Sequence, residues 1–228
     1  MKFRVLSALF ATSLFATVLP AVPALADDDS QEFEVTVTNL TRGQRFTPIL
    51  VASHRVGVKL FTLGAPASPE LAILAEEGNT APLTALLGAN PNVLDVTDSG
   101  ALLNPGASVT IRVKTRGHFD HLSVASMLIP TNDAFIALNG VPGPFGRKSV
   151  MHTSVAYDSG SERNDETCAS IPGPFFVECG AAGGGGAPVG GEEGYVHVNA
   201  GIHGIGDMKA AERDWRNPVA RIVVRRVD

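Results

Sequence analysis

The feature that most restricts the fold of this chain is a series of short runs in which apolar and polar residues alternate. In the run 33–39, Phe33, Val35 and Val37 share one face, and the residues between them are polar. A period of two is typical of a β-strand with one buried face. Similar runs occur at Pro48–Ala52, Ser108–Lys114, Leu122–Ile129, Ala134–Leu138, Ser149–Tyr157, Tyr195–Asn199 and Val219–Val227. About eight strands separated by glycine and proline turns predict a mainly β protein, an antiparallel β-sandwich.

Two short helices are predicted to interrupt the strands. Ser68 is a good N-cap, Pro69 suits a first helical turn, and Gly78 can end the helix. A second helix is predicted from Thr80 to Gly88, where leucines recur at helical spacing. We expect both helices to pack on the sandwich and not to form a domain of their own.

The N-terminus has the pattern of a secretory signal peptide. Lys2 and Arg4 precede the mostly apolar stretch Val5–Leu19, and Ala24 and Ala26 place small residues before a cleavage point. The apolar stretch is short for a membrane span, which takes about 20 residues, although a retained anchor is the alternative. We therefore expect a secreted or periplasmic protein without a transmembrane segment after signal removal. The predicted organisation is a signal peptide at 1–26, an acidic tail at 27–32 and one domain at 33–228.

The charge balance disfavours nucleic acid as a partner. The full chain has a net charge of −5, and removal of residues 1–26 would take away two basic residues and no acid, giving −7. A negative protein repels a phosphate backbone unless a cation lies between them.

Cys168 and Cys179 are the two cysteines of the chain. In an oxidising compartment, two cysteines close in sequence most simply form a disulfide. The spacing matches neither a zinc signature nor the C-x-x-C motif of a redox pair. We therefore predict a structural disulfide.

The histidines raise the alternative of a metalloenzyme. No G-x-S-x-G or H-E-x-x-H motif is present, and the chain is predicted not to be an enzyme. His118 and His121 nevertheless lie close in sequence, as do His197 and His203. If these four side chains met, they could hold zinc or copper in a periplasmic metalloenzyme or metal-handling protein. His54, beside Arg55, is interpreted as a structural histidine.

Acidic residues cluster where two predicted strands begin and end. Asp133 comes just before a strand, and Asp158 and Glu162 lie in a turn that leaves another, with Asp165 and Glu166 close behind. Carboxylates gathered at one end of a sandwich repel one another unless they are solvated or bound to a hard cation, and oxygen-only ligands favour calcium. The EF-hand loop pattern is absent. The spacing alone therefore favours a solvated acidic turn that binds nothing, as in a purely structural surface protein, over a calcium site.

Several separated motifs resemble those of one known family. They are Ser126–Phe135 (SMLIPTNDAF), Tyr157–Glu162 (YDSGSE) and Asn217–Arg226 (NPVARIVVRR), and the segment Gly194–Met208 is similar to the tails of bacterial secreted members. Together they resemble the spondin N-terminal domain family. The likeness runs in order from Phe33 to Val227.

The resemblance implies a β-sandwich related to calcium-dependent membrane-binding modules. Members of this family bind one calcium ion through the aspartate of a P-x-x-D motif and two carboxylates of a Y-D-x-G-x-D/E turn, which here are Asp133, Asp158 and Glu162. Ala134 stands where animal members have an aromatic residue, and Glu162 where they have aspartate. The expected function is that of a secreted, non-catalytic binding or adhesion module with Ca²⁺ and an unknown extracellular or cell-surface ligand.

Overall fold

The computed structural model describes residues 31–173, 177–180 and 190–227. Eleven strands and three short helices occur in this part of the chain. The strands are β1 (Gln31–Asn39), β2 (Arg45–Phe46), β3 (Leu50–His54), β4 (Val93–Asp98), β5 (Ser108–Thr115), β6 (His121–Ile129), β7 (Ala134–Pro142), β8 (Ser149–Ser154), β9 (Ala156–Asp158), β10 (His197–Val198) and β11 (Ala220–Val227). The helices are α1 (Pro69–Glu77), α2 (Ala81–Gly88) and α3 (Ala210–Arg213).

The strands form two antiparallel sheets, which confirms the predicted β-sandwich. The smaller sheet has the order β5-β1-β11-β8, and the larger has the order β10-β9-β7-β6-β3-β4 with β2 paired to β6. In the smaller sheet, Val35 of β1 lies opposite Val224 of β11 and Ile111 of β5. The period-two pattern of the sequence thus places one apolar side chain from each of three strands on the same face.

The main core lies between the two sheets. Phe33, Val35 and Val37 are fully buried there, as the alternation predicts. The indole of Trp215 packs in the same core. One apolar face from each sheet is therefore removed from water.

Helices α1 and α2 cover the other face of the larger sheet. Leu71 and Leu74 of α1 pack in a second cluster with Leu50 of β3 and Phe135 of β7. Because both faces of this sheet are covered, β3 is buried at every position. The helices lie on the sandwich as predicted and form no separate core.

The helix ends of α1 follow the sequence signals. The Ser68 side chain accepts a hydrogen bond from the Leu71 amide at 3.2 Å, and Gly78 ends the helix in the left-handed conformation with φ of 69°. Thr80 precedes α2 but makes no capping bond through its side chain. The four-residue helix α3 and the strands β2 and β4 were not predicted, since each is short or lacks a clear alternation.

Cys168 and Cys179 form the predicted disulfide, with their Cα atoms 5.3 Å apart. Glu178, next to Cys179, forms a two-bond ion pair with Arg213 of α3, with both distances at 2.7 Å. The disulfide segment is thereby tied to the end of the chain that leads into β11.

No helix in the described ranges is long and apolar enough to cross a membrane. The predicted signal peptide at 1–26 lies outside these ranges.

Candidate functional site

Two aspartates meet at one end of the larger sheet. Asp133 ends the loop between β6 and β7, and Asp158 is the last residue of β9. In the pairing of β7 with β9, Asp158 lies opposite Ala134, the residue after Asp133. The Ser159 amide donates to the Asp133 carbonyl at 3.2 Å and holds the two strand ends together. Both aspartates are fully buried.

The turn after β9 surrounds one oxygen of Asp133 with donors. Oδ2 accepts hydrogen bonds from the Ser159 hydroxyl at 2.9 Å, the Ser161 amide at 2.9 Å and the Glu162 amide at 3.1 Å. Oδ1 is buried as well, and it has no hydrogen-bond partner among the described residues. A buried carboxylate oxygen without a hydrogen-bond partner lowers the stability of the fold, and a bound cation or proton removes that loss.

Burial and the nearby charge of Asp158 raise the pKa of Asp133 to about 8 from its ordinary value of 3.8. The hydrogen bonds from Glu162, Ser159 and Ser161 favour the charged form and oppose this rise. Burial and repulsion outweigh them. The carboxyl of Asp133 therefore takes up a proton near neutral pH unless another positive charge is bound beside it.

Asp158 is held by a different set of donors. Its Oδ1 accepts from the Gly160 amide at 2.8 Å, and its Oδ2 accepts from the side-chain amides of Asn164 at 2.8 Å and Asn199 at 2.7 Å. Sequence reasoning did not single out either asparagine. The only signal was that Asn199 is the last residue of the predicted strand Tyr195–Asn199 and lies within the segment Gly194–Met208.

Glu162, the third predicted ligand, is buried on the same turn. Its backbone amide ties it to Asp133, as described above. No three side chains of the types His, Cys, Asp and Glu converge as a metal cluster among the described residues. Among the described residues, Asp133 and Asp158 are the two carboxylates whose strand ends the pairing of β7 with β9 brings together.

Asp165 and Glu166 have structural partners of their own. The carboxylate of Asp165 accepts bonds from Thr167 and Ser170. Glu166 is buried, has a φ of 56°, and accepts from three successive backbone amides, those of residues 203, 204 and 205, at 2.6, 2.7 and 3.0 Å. Glu166 thus anchors the loop 203–205, an arrangement that the spacing in the sequence did not reveal.

The four histidines of the metalloenzyme hypothesis lie in different parts of the molecule. His121 lies opposite Pro142 at the far end of β7, and His118 is exposed in the turn before β6. His197 lies opposite Asp158, with Nδ1 3.8 Å from Oδ1 of that residue. His121 thus lies at one end of the nine-residue strand β7 and His197 lies near the other end. A strand of this length spans about 27 Å. His203 is exposed, so the four do not form one site.

The prediction that His54 is a structural histidine agrees with the structure. His54 is buried and hydrogen bonds to the Arg55 carbonyl and the Ser123 hydroxyl, as expected of a structural histidine. Burial lowers its pKa, so the neutral ring is favoured.

The fold and the site together define an antiparallel β-sandwich with a buried carboxylate pair at one end. Residues 36–142 match the family model Spondin_N. The match supports the resemblance of the motifs to the spondin N-terminal domain family, whose domains are in general non-enzymatic and extracellular. The match includes Asp133 and ends before Asp158 and Glu162. No curated protein matches the chain.

Proposed function

We propose that this protein is a secreted, non-catalytic module that binds calcium and uses its ordered sandwich end to bind an extracellular or cell-surface ligand. One observation supports the calcium site above the others. The buried Oδ1 of Asp133 has no hydrogen-bond partner among the described residues, and the charge of Asp158 lies beside it. A divalent cation satisfies that oxygen and cancels the repulsion at the same time.

The chemistry of the donors favours calcium over transition metals. Asp133 and Asp158 offer carboxylate oxygens, and Glu162 supplies a third acidic side chain on the same buried turn. Calcium takes six to eight oxygen ligands, which include backbone carbonyls and water. Zinc and copper favour nitrogen or sulfur, and His197 is the one histidine beside the pair. In this proposal Asp133, Asp158 and Glu162 hold the ion.

The hydrogen bonds around the pair prepare it for an ion. Oδ2 of Asp133 is fixed by the turn after β9, which leaves Oδ1 as the free ligand atom. Both carboxylates are thus oriented before binding, and little side-chain entropy is lost. The ion would clamp the β6–β7 loop to the turn after β9 and make that end of the sandwich rigid.

Export is the second part of the proposal. The disulfide between Cys168 and Cys179 is typical of proteins that fold in an oxidising compartment. The spondin N-terminal domain fits an extracellular place as well. We propose that residues 1–26 direct secretion and are removed, so that N-terminal sequencing of exported protein begins at Asp27.

Thermal unfolding with and without calcium tests the metal site. A ligand that binds only the folded state stabilises it by roughly 2.7 kcal/mol at a hundredfold excess over Kd. The melting temperature of the full exported protein should therefore rise with calcium and fall with EDTA. The variant Asp158→Asn should lose most of that response, whereas Glu77→Gln, an exposed acid on α1, should keep it. A melting temperature that ignores calcium contradicts the proposal.

A further inference from the structure

A cavity of about 850 Å³ opens at the end of the sandwich opposite the aspartate pair. Its walls come from the segment after β3, the turn before β4 and the turn between β5 and β6. His54, the last residue of β3, lies opposite His121 at the first position of β6, which fixes this end of the sheet. The volume is within the range of sites that hold a small ligand.

The lining of the cavity is cationic, in a protein whose net charge is negative. The cations Arg55 and Lys59 line it together with His118, and no carboxylate does among the described residues. The three come from two segments that lie far apart in sequence. For that reason they form no basic run that sequence analysis could detect. A patch of positive potential in a concave site attracts anions.

Arg55 is held in place without being neutralised. Its guanidinium lies over the ring of Phe119, 4.5 Å from the centroid. Among the described residues it has neither an ion pair nor a side-chain hydrogen bond. Lys59 is positioned by the carbonyl of Asn139, at 2.7 Å, and not by an acid. Both charges are thus oriented and remain available to a carboxylate, sulfate or phosphate group.

The other walls suit a hydroxylated ring. The side-chain nitrogens of Asn90 and Asn92 have no hydrogen-bond partner within the described ranges, and the hydroxyl of Thr62 is also available there. Val56, which is 75% exposed, adds an apolar surface beside them. Amides, a hydroxyl and a small apolar surface around fixed cations match a sugar that carries an anionic group, more closely than a bare inorganic anion.

We propose that this cavity binds an acidic sugar, with Arg55 and Lys59 on the anionic group and Asn90 and Asn92 on the ring hydroxyls. The cavity and the aspartate pair lie at opposite ends of β7, so sugar binding does not depend on calcium. The proposal therefore stands independently of the calcium site. The sugar can be free or part of an acidic polysaccharide, since both present the same group.

Isothermal titration calorimetry of the full exported protein in EDTA tests this site. The probes are D-glucuronate and D-galacturonate for a free sugar, trigalacturonate for a chain, glucose as the neutral ring and acetate as the bare anion. We expect glucuronate or trigalacturonate to bind at least tenfold more tightly than glucose and acetate. Tighter binding of trigalacturonate than of D-galacturonate identifies the polymer as the source of the ligand, and equal or weaker binding identifies the single sugar.

Two matched variants locate the binding. Arg55→Gln should weaken binding at least tenfold, whereas Arg216→Gln, at a separate cavity beside Trp215, should leave it within about twofold. A melting curve for each variant shows that it is folded, and Lys59→Met repeats the test if Arg55→Gln is unfolded. The proposal is overturned if no acidic sugar binds at millimolar concentration, if glucose binds as tightly, or if both cavity variants bind like the wild type.

Discussion

Asp158 lies opposite Ala134 in the pairing of β9 with β7, and this register brings its carboxylate beside that of Asp133 in a buried position. The loop before β7 and the end of β9 thus place two negative charges next to each other. The donors that surround the pair come from the turn after β9 and from Asn199. The fold tolerates the repulsion at a cost in stability that a proton or a cation removes.

The stability of the calcium-free protein should decrease as the pH rises from about 4 to about 8. Between the ordinary pKa of 3.8 and the raised value of about 8, folded Asp133 keeps a proton that the unfolded chain has released. Unfolding then becomes easier by up to about 1.4 kcal/mol per pH unit. Urea denaturation in EDTA at several pH values measures this slope. The variant Asp133→Asn should show a flatter dependence of the unfolding free energy on pH, whereas Glu77→Gln should keep the wild-type slope. Equal slopes in the wild type and both variants would contradict the raised pKa of Asp133.

Glu166→Gln should destabilise the fold by roughly 2–3 kcal/mol, because hydrogen bonds to a charged group are stronger than those to a neutral one. Glutamine offers one acceptor oxygen to the backbone amides of residues 203–205 and turns an NH₂ group toward the rest. Chemical denaturation against Glu77→Gln as the control measures the difference. A loss below about 0.5 kcal/mol would show that the loop does not depend on Glu166.

Loss of the disulfide should lower the free energy of unfolding by roughly 3 kcal/mol, as expected for a closed loop of this size. The bonded cysteines are 11 residues apart in sequence. The double variant Cys168→Ser/Cys179→Ser tests this by denaturant titration. The same titration of the wild-type protein in a reducing agent gives a second measurement of the stability without the disulfide. Equal stability of the bridged and unbridged proteins is the contradicting outcome.

Leu74→Ala should destabilise the protein by roughly 2–5 kcal/mol, because it leaves a cavity under α1. Leu74 is fully buried against the larger sheet, whereas Leu86 of α2 is 46% exposed. Leu86→Ala should therefore have a much smaller effect in the same denaturation experiment. Similar losses for the two variants would mean that α1 is not packed on the sheet as described.

The sequence allowed prediction of the sandwich because its strands follow a local rule. In β5, Ile111 and Val113 point inward between exposed residues, so the period of two is visible in the sequence. Strand β4 escaped prediction because its first five residues are all partly buried and show no alternation between a buried and an exposed face. It lies at one edge of the sheet. Its position depends on its partner β3 and not on its own residues.

The candidate site was only partly accessible to the same reasoning. Asp133, Asp158 and Glu162 could be named because the motifs that contain them resemble the P-x-x-D and Y-D-x-G-x-D/E motifs of the spondin N-terminal domain family. The donors Asn164 and Asn199 could not, because their contacts with Asp158 depend on how distant loops fold together. The separation of His121 from His197 likewise follows from strand register, which spacing along the chain does not encode.

Calorimetric titration of calcium into the metal-free, exported protein measures directly whether the aspartate pair binds the ion. We predict one calcium ion per chain, at least hundredfold weaker binding for Asp133→Asn, and affinity within about twofold of wild type for His197→Gln. The two variants alter neighbouring side chains at the same end of the sheet, so they distinguish a carboxylate site from a histidine site. No calcium binding by the folded wild-type protein, or equal binding by Asp133→Asn, would contradict the proposed calcium site.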